Sequence, residues 1–233
     1  HGRPTSTPPF QPPKTKPRCQ PYSNSNGSPK SPSPHASVRR ASARFLLESK
    51  TGGITMIPVE LYGVNAERCE RLYDELPSLV RGMEDDDAYG EVLYSAKESN
   101  ILETVERADA WANEQPFAWP DDVAMEVEMA LRSARYPDVG LFEQLMTLDG
   151  VDAERVSRWA HFVGRVYPIY SAEACAALEA MNLPTPFIPD DIASYGVYVS
   201  RIEGLKKHAP AAGLPEIGLP RARVLQLGLE RFE

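Results

Sequence analysis

A chain of 233 residues with 42% hydrophobic content can bury a real core, in one large domain or two small ones. Its formal charge of −8 combines two opposite parts: residues 1–50 hold nine Lys or Arg and one acid, a formal +8, and residues 51–233 hold sixteen against thirty-two, a formal −16. No apolar run approaches the roughly twenty residues of a membrane helix, which excludes a spanning segment or membrane partner and points to a cytoplasmic protein. Cys19, Cys69 and Cys175 are odd in number and far apart, which excludes a disulfide framework and a zinc site.

The chain opens on "HGRPTSTPPFQPPKTKPRCQPYSNSNGSPKSPSPHASVRR", which carries ten of the twenty-two prolines and almost no aliphatic residues. Such a segment cannot bury enough apolar surface to offset its ordering entropy, so residues 1–55 read as a disordered, basic Pro/Ser-rich tail. "RRAS" at 39–42 resembles a basophilic kinase site. The chain begins at His1, and Met56 in "GGITMIPVELYG" offers a sensible start, so the tail is also consistent with non-native sequence.

From residue 64 the apolar residues recur at helical spacing, so the domain at 56–233 is expected to be all-α, a multi-helix orthogonal bundle. Asn65 can cap "AERCERLYDEL", after which Pro77 opens a further turn; Asp87 opens "AYGEVLYSAKE"; and Ser99 caps "NILETVERADAWANE", with Ile101, Val105, Ala108 and Ala112 along one face. Pro120 of "WPDDVAMEVEMALRSAR" suits a first-turn position. After a helical pair comes "SAEACAALEAMN", capped by Ser171. A Pro-rich crossing then leads to "DDIASYGVYVSRIEGLKKHA" and a last helix in "PRARVLQLGLERF". Strand-like alternation is confined to "ITMIPVEL".

The helical pair is "LFEQLMTLDGVDAERVSRWAHF", within residues 139–166. Leu141, Leu145 and Leu148 line its first helix, and Val156, Trp159, Ala160 and Val163 line the second. "DGVD" leaves room for a tight turn with Gly150 left-handed. This is a helix-hairpin-helix pattern.

"LDGVDAERV", the downstream "VYPIY" and the terminal "LPRARVLQLGLERF" together resemble the helix-hairpin-helix DNA glycosylase superfamily over about residues 139–233. The resemblance implies that the hairpin amides, around Gly150 and Val151, bind a DNA phosphate, with Arg155 and Arg158 as nearby cations. It also implies a Pro-containing loop some twenty residues later that delivers a catalytic Asp beside a pocket, which places Tyr170, Ser171 and Glu173 at that pocket.

The chain departs from that pattern. Asp152 replaces the second hairpin glycine and Glu154 lies near the position of the lysine in lyase-type relatives; both oppose an anion. Asp152 instead suits the N-cap of the second helix, accepting from the amide of residue 154 or 155. Tyr170 and Ser171 stand where the Asp is expected and cannot act as carboxylate bases, so no catalytic residue is assigned, and activity, if present, would be base excision. Ser171 and Glu173 also read simply as a helix cap and its first turn.

Other constellations point to no cofactor or metal. The acids of "MEDDDAYGE" lack the alternation and central glycine of a calcium loop. Phe117, Trp119, Tyr195 and Tyr198 have the chemistry to stack a flipped base, but at helical spacing aromatics belong to a core. Two functions follow: a DNA-associated, non-catalytic protein on a glycosylase-like scaffold, or an acidic module that binds another protein and no nucleic acid. Cations clustered with the hairpin favour the first, and an acidic hairpin with an apolar patch the second.

Overall fold

In a computed structural model the described residues are 46–48, 54–56, 58–83, 87–98, 100–120, 123–133 and 140–233. They form an antiparallel pair, β1 (Leu46–Glu48) with β2 (Ile54–Met56), and nine α-helices: α1 (Ala66–Leu79), α2 (Asp87–Glu98), α3 (Ile101–Trp111), α4 (Ala124–Ser133), α5 (Gly140–Leu145), α6 (Ala153–Gly164), α7 (Ala172–Ala180), α8 (Ile192–His208) and α9 (Arg221–Leu229). The body is all-α. Most of residues 1–55, with the kinase-like motif and Cys19, lies outside the described residues, as do Glu84–Asp86 of the acidic run; β1 and the start of β2 fall inside the stretch assigned to the tail.

Local chemistry sets the helix starts. Asn65 accepts from the Arg68 amide at 3.1 Å, Asp152 from Arg155 at 2.8 Å, and Ser171 from Ala174 at 3.3 Å. Helix α3 is capped by Asn100, which accepts from Glu103 at 2.7 Å, and not by Ser99, which lies outside the described residues. Pro77 does not open a new turn: α1 runs through it to Leu79, and the exposed side chain needs no room in the core.

Two helices sit at the centre of the packing. α6 contacts α2, α3, α4 and α5, and α9 contacts α1, α7 and α8. α6 is buried along most of its length, with Val156, Trp159 and Phe162 fully enclosed. Trp159 alone, truncated to Ala, would cost roughly 3–5 kcal/mol. On α5 the enclosed residues are Phe142 and Leu145. The expected seam through Leu141 and Leu148 is thus shifted: Phe142 carries it, stacked on Tyr195 at a 5.1 Å centroid distance, while Leu148 is half-buried and the Leu141 side chain lies outside the described residues.

Candidate functional site

The hairpin between α5 and α6 is longer than the four residues its sequence suggests. α5 ends at Leu145, and Met146, Thr147 and Leu148 continue as overlapping turns bonded to Phe142, Gln144 and Leu145. Gly150 then takes φ +75°, a left-handed turn that a side chain would strain. Three amides at and after the turn have internal acceptors. Val151 donates to the Leu148 carbonyl at 3.2 Å, Ala153 to Pro189 at 2.9 Å, and Arg155 to the Asp152 carboxylate at 2.8 Å. Gly150 is exposed, whereas Val151 is buried beneath the turn.

The two hairpin arginines turn inward. Both reach Asp109 of α3, a carboxylate with no solvent exposure. Arg155 donates to it through Nε at 3.3 Å and Nη2 at 2.9 Å, and also to the carbonyls of Gly150 and Gln115. The Trp159 indole donates to Asp109 at 2.6 Å and the Phe117 amide at 3.1 Å, so the carboxylate is ringed by donors. Arg158, 3% exposed, pairs with Glu114 at 2.5 Å and lies 3.8 Å from Asp109. That pair is close but off the guanidinium's hydrogen-bond direction, for Nε and Nη2 of Arg158 make no directed bond. Removing Asp109 would take the buried acceptor from the Trp159 indole and the Phe117 amide and the closest carboxylate from Arg155, while Arg158 would keep Glu114. Arg155 and Arg158, expected as cations near the hairpin amides, brace α6 against α3 and the 113–119 loop.

Outside this brace the hairpin is acidic. Asp149 and Glu143 are exposed, and Glu154 is half-buried, its carboxyl raised by burial, with Arg158 opposing and Asp152, Glu114 and Glu173 adding to the rise. Beside it, α4, α5 and the turn line a cavity of about 320 Å³, with Val127, Leu145 and Leu148 against Glu126, Gln144 and Thr147. Met125 and Met129 of α4 stand 71% and 59% exposed.

Around Tyr170, where a pocket was expected, the chain makes a buried crossing, with Glu173 exposed at its edge. The Tyr170 hydroxyl donates to Pro186 at 2.8 Å and accepts from the Ile188 amide at 3.1 Å, while its own amide donates to Ser157 at 2.8 Å. Neighbouring Ile169 donates to Gln226, and Tyr195 donates to the Pro168 carbonyl. Side chains from α6, α8 and α9 thus satisfy the polar groups of a buried extended segment, as its backbone requires. Ser171 caps α7 and donates to the exposed Glu173 at 3.1 Å, the capping role that its sequence also suggested. Tyr195 and Tyr198 are fully buried, and Phe117 and Trp119 pack with Trp159, so none of these rings is an open stacking platform.

Three further residues are central to the arrangement. Asp109 follows Ala108 on a helix face otherwise apolar, the one local sign of a buried acid. His161 is fully buried between Tyr89 and Tyr167. Arg223 is buried over the rings of Trp111 and Tyr89. Among the described residues no group of three or more His, Cys, Asp or Glu is placed to hold a metal, no helix is long and apolar enough to cross a membrane, and Cys69 and Cys175 are buried free thiols. No family model, curated protein or solved structure matches this chain.

Proposed function

We propose that this chain is an acidic helical protein-interaction module that takes a basic, amphipathic polypeptide, and that its hairpin is a structural corner. One observation carries the reading: the hairpin cations Arg155 and Arg158 are engaged with Asp109 and Glu114, while Asp149 and Glu143 face solvent. Phosphate binding draws on cations that displace counterions and on unengaged amides, and this hairpin offers few of either. Carboxylates beside exposed Met125 and Met129 suit the opposite partner, since flexible methionines adapt to apolar side chains and the acids meet Lys or Arg.

The test sets two probes against each other at matched ionic strength: a synthetic helical peptide of Leu and Lys at three- and four-residue spacing, and duplex DNA. The peptide is expected to bind, more weakly as salt rises, and Met125→Glu with Met129→Glu to weaken it by about tenfold. The duplex is expected to bind poorly. Asp152→Gly is expected to change duplex affinity by less than about threefold, because the Ala153 amide stays on Pro189, and to cost about 1 kcal/mol of stability through the lost cap. A DNA-associated protein on a glycosylase-like scaffold predicts the reverse: tight, steeply salt-dependent duplex binding by the parent. That result, or a peptide that fails to bind at low salt, overturns the proposal.

A further inference from the structure

The cavity beside the hairpin has a floor and a rim of different chemistry. Val123, Val127 and Ala130 follow one another at four- and three-residue steps, so they share one face of α4, and that face lines a hollow of about 320 Å³ opposite Leu145 and Leu148. Val127 and Leu145 are buried at its floor, while Glu126, Gln144 and Thr147 are exposed at its rim. The rim presents acceptors. Glu126 joins no ion pair among the described residues, although Glu128 and Arg132 of the same helix pair with each other. The Thr147 hydroxyl spends its proton on the Gln144 carbonyl at 2.7 Å, so toward a ligand it can only accept. The Gln144 side-chain amide makes no hydrogen bond among the described residues, which leaves its oxygen open as well. Met129 follows Glu126 by three residues and Met125 precedes Met129 by four, so the exposed methionines continue the surface of α4 past the carboxylate.

We propose that this hollow is the anchor site for the partner helix and takes one tryptophan side chain, with a Lys or Arg one helical turn away meeting Glu126. The inference rests on the reading of the chain as a module for a basic, amphipathic polypeptide. Size and polarity choose the side chain. A dry apolar cavity of about 150 Å³ holds a benzene ring, so this larger hollow, open at its rim, has room for the two fused rings of an indole. An apolar floor under a rim of acceptors fits an apolar body with a donor at one edge, and the indole N–H only donates. Phe has the body without the donor. Lys and Arg have donors, but their thin stems would leave most of the floor uncovered while their heads stay in water. The carboxylate and the methionines then take the flanking cation and the apolar residues of the next turn, around a central anchor of the kind that dominates interface affinity.

The experiment measures the affinity of the full chain, at low salt, for four helical peptides with the same Lys positions and one varied central position: Trp, 1-methyl-Trp, Phe or Ala. The Trp peptide is expected to bind at least about tenfold more tightly than the Ala peptide, with Phe between them. Methylation of the indole nitrogen keeps the bulk and removes the donor, and should weaken the Trp peptide by about threefold or more. Ala130→Leu, which fills the hollow from a half-buried helical position, should bring the Trp peptide close to the Ala peptide. Should that variant fail to fold, the methyl NMR resonances of Leu145 and Leu148 in the parent decide: the Trp peptide should shift them and the Ala peptide should not. The anchor site is overturned, while the wider reading stands, if the peptides bind with equal affinity, if 1-methyl-Trp binds as tightly as Trp, if Ala130→Leu keeps the full preference for Trp, or if the methyl resonances respond alike to Trp and Ala. No binding by any of the four overturns both.

Discussion

His161 is a base enclosed where a proton is costly. Its Nδ1 lies 2.6 Å from the Tyr167 carbonyl, which only accepts, so the ring proton sits on Nδ1 and the bare Nε2 accepts from the Tyr89 hydroxyl at 2.7 Å. Burial first, and then the charges of Arg223 and Arg165, push its pKa down from the ordinary 6.5 to about 3, against the Tyr167 bond, which favours the charged form. The unfolded chain takes up this proton below about pH 6.5 and the folded chain only near pH 3, so the contribution is intact above 6.5 and is lost as pH falls through that window. Between pH 7.5 and 5 the loss from this group is about 2 kcal/mol. His161→Gln should be less stable at pH 7.5, through its poorer fit to both partners, and should lack this part of the pH slope. Urea midpoints of both proteins at the two pH values decide the matter; equal slopes would remove His161 as the source.

At the scale of elements, the close crossing of α1 and α9 depends on a missing side chain. A Cβ at Gly228 would lie 2.1 Å from Cδ1 of Leu76, which is 1% exposed and has little room to move. Ala in place of Gly favours a helix interior by about 1 kcal/mol, while overpacking a closed core costs about 1–3 kcal/mol or more at so short an approach. Gly228→Ala is therefore expected to destabilise by about 1 kcal/mol or more, and Leu76→Val, which removes the clashing methyl, to recover part of that loss in the double variant. Strict additivity in denaturant midpoints would count against the contact. Sequence reading succeeds here where the cause is local. Asn65, Asp152 and Ser171 cap because an oxygen three residues before an amide needs nothing else to reach it. It misses the brace because Arg155 and Asp109 are 46 positions apart and nothing near either residue names its partner. Phe142 and Leu141 are likewise indistinguishable until the direction of α5 against Tyr195 is known.

For the molecule as a whole, the opposition between a formal +8 over residues 1–50 and −16 over residues 51–233 was plain from composition, but the use made of the body's cations was not. Arg155, Arg158 and Arg223 are drawn inside or nearly so, which leaves exposed acids with fewer cations between them than the sequence suggests. Those surface acids repel one another across water, where salt screens separations beyond about 10 Å at 0.1 M, whereas the buried pairs around Asp109 are screened far less. Raising NaCl from about 0.02 to 0.5 M should then weaken the repulsion while leaving the internal brace largely intact, and the full chain should melt a few degrees higher. Chloride is the anion to use, since sulfate and phosphate would add surface exclusion. The surface pairs Arg71 with Glu75, Arg107 with Glu103 and Arg132 with Glu128 work against the effect, but exposed helix pairs contribute little each. A melting temperature that falls as NaCl rises would mean that the exposed pairs outweigh the repulsion among the surface acids.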